Sequence, residues 1–236
     1  MNLILLHSND HWINPSTVLL RDDRFLHLRN VLHVDVGQSV RVGLVGGGIG
    51  QGLVTSIDQL AVCLRVQLTT LPPPRHRLDL IISLPRPKML RRILRTVAEF
   101  GVANLHLINS ARVEKSFWQS PLLSQDKMND ALCSGMSRSS DTLLPSIHFH
   151  RRFRPFVEDE LTALCGDRSC WLADHGASMA LTSTPTIPSV VMIGPEGGFV
   201  PFEIYLAESV IAQRVHLGNR ILSVDTAVTT VLAQTM

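Results

Sequence analysis

Several features that would place a chain in a class at once are missing here. No apolar run approaches the ~20 residues that a membrane span requires. The opening MNLILLHSND lacks a basic n-region, and its apolar stretch breaks at His7. No export signal and no membrane segment are therefore expected, and the location expected is cytoplasmic. Cysteine pairs are absent as well: Cys63, Cys133, Cys165 and Cys170 form no C-x-x-C and have no His at zinc-ligand spacing. Neither a metal site nor a disulfide framework is expected. Nor is there an excess of one charge, since 22 Lys and Arg face 20 Asp and Glu for a net +2. Total charge thus identifies no partner, and the clustering of cations has to decide.

What is present reads as a folded protein. Hydrophobic residues at 45% and charged residues at 18% exclude a disordered tail or a fibre. A length of 236 residues allows one large domain or two smaller ones. The clearest boundary is Leu71-Pro72-Pro73-Pro74-Arg75, because consecutive prolines remove backbone donors and end strands and helices. Two domains are expected, 1–72 and 73–236. In the first, Asp23 to Leu32 places Phe25, Leu28 and Leu32 at helical spacing, and Ser39 to Val45 and Gly52 to Ile57 alternate like strands. A small, mostly β domain follows from this. Gly46-Gly47-Gly48-Ile49-Gly50 fits neither phosphate-loop pattern and predicts a hairpin turn. Arg21, Arg24, His27 and Arg29 surround the helix, either as contacts to an RNA backbone or as a solvated face.

Beyond the prolines, strands alternate with helices, which predicts an α/β layer on a largely parallel sheet. Strands are expected at Leu78–Leu84, Asn104–Ile108, Ser169–Ala173, Val190–Ile193 and Arg214–Leu217. Helices are expected at Pro87–Phe100, Ser124–Arg138, Arg154–Leu164, Pro201–Ala212 and Asp225–Thr235.

The strongest local signal is Val190 to Phe199, VVMIGPEGGF, an apolar strand running through a Gly-rich turn into a helix. Glycines let backbone amides come close to a ligand, and ligands of α/β sheets bind at the carboxyl ends of strands. A tight strand-to-helix connection has the same composition. Leu217 to Ala227, LGNRILSVDTA, makes a second such loop, with Ser223 or Asp225 placed to cap the following helix. Two loops of this kind in one domain predict a shared pocket.

These paired motifs resemble the cofactor loops of the small-subunit ribosomal RNA uridine-N3 methyltransferases, the methyltransferase E family of the knotted SPOUT class. That family's pattern reads approximately IGPEGGF, then LGPRILRxETA. The resemblance extends through Lys88-Met89, Ala98 to Val102, Asp141 to Pro145 and Arg29 to Leu32, nearly the whole chain. It implies a PUA-like RNA-binding amino-terminal domain, a trefoil-knotted α/β carboxy-terminal domain and a homodimer. It further implies S-adenosyl-L-methionine as cofactor and ribosomal RNA, or the assembled small subunit, as partner. Carried over, Ile193, Gly194, Glu196, Gly197 and Gly198 form one cofactor wall. Leu217, Gly218, Asn219, Ile221, Leu222, Thr226 and Ala227 form the other, with Leu172 and His175 at a third strand end, where Asp174 also lies. The chain departs from the pattern at Ser223, where the family has Arg, at Asp225 for Glu, at Asn219 for Pro, and at Ser137-Arg138 for a Glu-Gln pair. Arg138 and Ser223 are thereby the candidate residues on the acceptor side, and no general base is assigned.

The helix from Pro87 gives a separate reason to expect RNA. Lys88, Arg91, Arg92 and Arg95 fall on one side, Arg86 precedes them, and no acid intervenes before Glu99. Such a cluster repels itself unless an anion is near. Arg24, Arg29, Arg86, Lys88, Arg91 and Arg92 are accordingly the expected RNA contacts. The alternative is a catalytically weakened RNA-binding protein on the same fold. A dinucleotide oxidoreductase is disfavoured, since no G-x-G-x-x-G follows a strand.

Overall fold

The prolines after Thr70 do end a strand, and the chain divides into two compact units close to them. The computed structural model describes residues 2–184 and 189–236. One unit comprises Met1–Pro74 with Cys133–Leu144, the other Arg75–Leu132 with Pro145–Met236.

In the first unit a six-stranded sheet has the order β1-β4-β5-β6-β3-β2. The strands are β1 (Ile4–Leu6), β2 (His11–Asn14), β3 (Thr17–Leu20), β4 (Ser39–Leu44), β5 (Ile49–Ile57) and β6 (Val62–Thr70). Only the β1–β4 pairing is parallel. Apolar side chains from one face pack with Phe25 and Leu28 of α1 (Asp23–Asn30). Asp22 caps that helix by accepting from the Arg24 amide. The helix ends two residues short of Leu32, which is exposed, and Val34 is buried instead. The glycine-rich stretch is the expected hairpin, closed by the Leu44 amide on the Gly48 carbonyl, although Ile49 and Gly50 already belong to β5.

Residues 133–144 complete this unit. The Ser137 hydroxyl, buried, donates to the Leu3 carbonyl at 2.6 Å, and the Ser137 carbonyl accepts from the Asn2 and Leu3 amides. Thr142, 0% exposed, donates to the Gly47 carbonyl at 2.6 Å, and its own carbonyl accepts from the Gly46 amide.

The second unit is the expected α/β layer. Its six-stranded sheet has the order β12-β10-β11-β7-β8-β9, parallel throughout. The strands are β7 (Leu78–Ser83), β8 (Asn104–Ile108), β9 (Ser146–His150), β10 (Ser169–Ala173), β11 (Ser189–Ile193) and β12 (Gln213–Val215). A parallel strand with helices on both faces must be apolar on both sides. Every residue of β7 is buried, as is every residue of β11. Burial of Leu80, Ile81 and Ile82 alone is worth roughly 1.5–3 kcal/mol each.

The helices are α2 (Pro87–Glu99), α3 (Gln125–Ser139), α4 (Phe153–Pro155), α5 (Leu161–Cys165), α6 (Pro201–Val210) and α7 (Val224–Gln234). A π-helical turn at Phe156–Glu160 joins α4 to α5, so the helix expected over 154–164 is one stretch with a bulge. Helix α3 starts among residues of the second unit and finishes among residues of the first.

Candidate functional site

Three neighbouring strands, β11, β10 and β12, end side by side, Ile193 in register with Ala173 and Ala173 with Val215. The segments leaving their carboxyl ends enclose a cleft of about 620 Å³, open solvent at its mouth included. That is the position at which α/β sheets hold small ligands.

The first wall is the turn between β11 and α6. Gly194 is fixed there by its surroundings, because a Cβ at this position would stand 2.9 Å from the Phe199 amide nitrogen, which is backbone and cannot swing away. The turn is closed by the Gly198 amide on the Pro195 carbonyl at 2.8 Å. It is then tied to α6 by Glu203, only 3% exposed, whose carboxylate accepts from the Val200 and Ala111 amides at 3.0 and 2.7 Å. The second wall runs from β12 to α7. Gly218 adopts φ +126°, a conformation that a side chain resists. Apolar Leu217 and Leu222 line the cleft beyond it, with Val224 and Ala227 from the first turn of α7.

Of the cofactor residues expected from the sequence, Ile193, Gly194, Glu196, Gly198, His175, Leu217, Gly218, Ile221, Leu222 and Ala227 line this cleft. Leu172, Gly197, Asn219 and Thr226 do not. Leu172 is 0% exposed in the core, since side chains alternate along β10 and its neighbour Ala173 takes the cleft face. Gly197 is turned outward, its carbonyl accepting from the Arg112 guanidinium. Asn219 is exposed, and the Thr226 hydroxyl lies 2.9 Å from that of Ser223. Sequence reading left Ala173, Pro195, Arg220 and Val224 off the expected set. Strand alternation beside Leu172 and the i, i+3 spacing of Val224 and Ala227 are the signals for two of them.

Two carboxylates, Asp174 and Glu196, line the cleft, Asp225 follows the lining residue Val224, and each of the three has a cation beside it. Arg214 holds Asp174 at 3.5 Å while bonding Glu208 at 2.9 Å. Arg86 lies 3.4 Å from Glu196. Arg92 reaches to 3.5 Å from Asp225, which also accepts from the Ser223 hydroxyl at 2.6 Å. That hydroxyl bond, and after it the α7 amides and Arg92, hold the Asp225 carboxyl below its ordinary value. The row of cations on α2 is thus not uniform. Arg86 and Arg92 are engaged with Glu196 and Asp225, Lys88 and Arg91 are exposed, and Arg95 is half-buried. In the first unit Arg29 is exposed and bonds the Gln59 carbonyl. Arg24 is not presented to a phosphate at all. Its guanidinium is committed to Asp10, Asp22 and the Leu5 carbonyl. Arg138, also in the first unit, is exposed, and its carbonyl accepts from Asn2.

A family model described as an RNA methyltransferase domain matches residues 72–236, which hold every residue of this cleft. The chain belongs to that family. Among relatives, it is 27% identical over 233 residues to the ribosomal RNA small subunit methyltransferase E of Treponema pallidum (strain Nichols), covering 96% of this chain and 87% of that protein. It is 29% identical to the protein of the same name from Synechocystis sp. (strain ATCC 27184 / PCC 6803 / Kazusa), covering 94% of this chain and 73% of that one. Among solved structures, a ribosomal RNA small subunit methyltransferase E from Neisseria gonorrhoeae, bound to S-adenosyl methionine, superposes with a TM-score of 0.76 at 21% identity. That match covers 99% of this chain and 95% of the other, and it establishes a shared fold. In this RNA methyltransferase the two sequence motifs are therefore the two walls of a single cleft.

Proposed function

We propose that this protein methylates N3 of a uridine in small-subunit ribosomal RNA, using S-adenosylmethionine held in the cleft at the ends of β10, β11 and β12. The observation that carries the reading is the Gly194 turn facing the Gly218 loop across an apolar cleft, within the segment that matches the RNA methyltransferase family. The names of the relatives supply ribosomal RNA, and family resemblance supplies N3. The same resemblance supports a PUA-like RNA-binding first unit, a trefoil knot in the second, and a homodimer.

The residues present suit that cofactor. Ile193, Leu217, Leu222 and Ala227 give an adenine ring an apolar bed, and the glycine turns let backbone groups approach a ribose. When bound, S-adenosylmethionine supplies an electrophilic methyl group on a sulfonium. The chain's part is to position the acceptor and to stabilise charge spreading onto the uracil oxygens once the imide proton is gone. In this reading Arg92, beside Asp225 and through it Ser223, takes that second task. The 3.5 Å approach to Asp225, itself bonded by Ser223 at 2.6 Å, supports it as the cation that replaces the family's Arg at position 223. Arg29, Arg86, Lys88 and Arg91 remain the proposed contacts to RNA phosphates.

The test is single-turnover transfer of labelled methyl to small ribosomal subunits, followed by nucleoside mass spectrometry. Labelled 3-methyluridine is the expected product. A different methylated nucleoside would overturn the N3 assignment. Firm cofactor binding with no transfer would favour the catalytically weakened RNA-binding protein.

A further inference from the structure

A second surface of the α/β unit carries RNA-binding chemistry away from the cleft. Strand β9 is the last in the sheet, so one of its backbone edges has no partner strand among the described residues. An open groove follows it, lined by His148, Phe149, Arg151 and Arg152 among others. Phe149 is 41% exposed, a large ring left in solvent on an edge strand. Its neighbour Trp118 meets it edge-on at 6.3 Å between centroids, and the Arg151 guanidinium sits over the Trp118 ring at 4.9 Å. The Trp118 indole N–H is fixed to the Asn109 side-chain carbonyl at 2.8 Å, which holds the ring plane in place.

Charge points the same way. Neither Arg151 nor Arg152 is in an ion pair among the described residues, and both are exposed. Among the described residues the one carboxylate lining the groove, that of Glu160, is 3.1 Å from the His150 ring.

We propose that this groove binds single-stranded RNA, with a base stacking on Phe149, which Trp118 supports edge-on, and phosphates meeting Arg151 and Arg152. Aromatic faces serve any base, and guanidinium groups serve the backbone, so binding here is tolerant of sequence. Three strand spacings separate β9 from β11, roughly 14 Å. The groove therefore takes nucleotides flanking the acceptor and not the acceptor itself. This rests on the reading of the protein as an RNA methyltransferase acting at the cleft.

The experiment measures affinity of the full chain for a short fluorescent uridine-rich RNA at several salt concentrations, with S-adenosylmethionine affinity by calorimetry as the check on folding. Arg151→Glu with Arg152→Glu is expected to weaken RNA binding at least about tenfold and to lower the salt slope by about 1.4, two single-strand phosphates' worth. Phe149→Ala, a change at an exposed position, is expected to weaken it about fivefold or more with little effect on the slope. Cofactor affinity is expected to be unchanged in both. Wild type that methylates RNA while both variants bind it normally overturns the groove and leaves the proposed function standing. Wild type with no affinity for RNA overturns both. A changed sedimentation coefficient in the charge-reversed variant, with RNA affinity intact, overturns the RNA occupant in favour of a second copy. Recovery of an extended peptide on the β9 edge with RNA affinity intact overturns it in favour of a strand-adding partner.

Discussion

Gly194 is the residue at which the cleft is least forgiving. An added methyl group meets backbone at 2.9 Å, so Gly194→Ala forces the turn to shift and draws its amides off any ligand. Calorimetry should show S-adenosylmethionine affinity reduced about tenfold or more while circular dichroism is unchanged, and retained affinity would mean that the turn is not a cofactor wall. Arg92 and Asp225 make a different prediction. Arg92→Ala and Asp225→Asn should each lower turnover about tenfold and leave cofactor affinity nearly constant, a loss smaller than for a buried donor because Arg92 is 64% exposed. Equal single-turnover rates in both variants and wild type would remove Arg92 from the reaction. How much of this was legible differs from residue to residue. The glycines were, because a motif names the positions that need a bare backbone. The facing of Leu172 was not, since a motif places a segment near a ligand without saying which side of the strand looks at it. The Arg92–Asp225 pair was beyond reach too, because it joins two elements far apart in sequence, α2 and α7.

At the scale of elements, the amphipathic and fully apolar segments of the second unit were readable from periodicity alone, and β7, β8, β10 and β11 lie where it put them. Strand β9 was missed because Ser-Ile-His-Phe-His is short, has only two apolar residues and buries none of its positions, as an edge strand with one neighbour can. The imidazoles there are not idle. His106 of β8 stacks on His148 at 4.5 Å and meets the His150 ring nitrogen at 3.1 Å, while His150 faces Glu160. Burial, then the like charges of His148 and His150, push His106 down to about 3, against the pull of nearby Asp79. Burial also lowers His150 and His76. At pH 7 the His106 ring is neutral folded or unfolded. As pH falls below about 6.5 the unfolded chain takes up a proton that the folded one refuses until about 3. Stability should therefore drop through that window, with a slope approaching about 1.4 kcal/mol per pH unit for this proton. Urea melts from pH 7 to 4 on wild type and His106→Gln check it, since the variant should show a shallower fall. Parallel curves would place the acid sensitivity elsewhere.

At the scale of the molecule, the units are not simple halves. The sequence suggested a cut at the prolines because composition changes there, and composition cannot register that Cys133–Leu144 returns to the first unit. That return is made by Ser137 and Thr142, whose hydroxyls bond the carbonyls of Leu3, just before β1, and Gly47, in the β4–β5 hairpin. A fragment ending at Pro74 lacks both and leaves the Leu3 and Gly47 carbonyls without those partners. It should be poorly folded by circular dichroism and by amide dispersion in NMR, and a well-folded fragment would show that the returning segment is dispensable. The same return sets an order of events during synthesis. Most of the first unit is made before the second, yet it cannot close until Leu144 has emerged, 70 residues after Pro74 (144 − 74). At the usual pace of translation that is a wait of roughly 4–14 s. Throughout it, the strands made first stand beside the ribosome unfinished, while the next unit's own first strands are already being delivered.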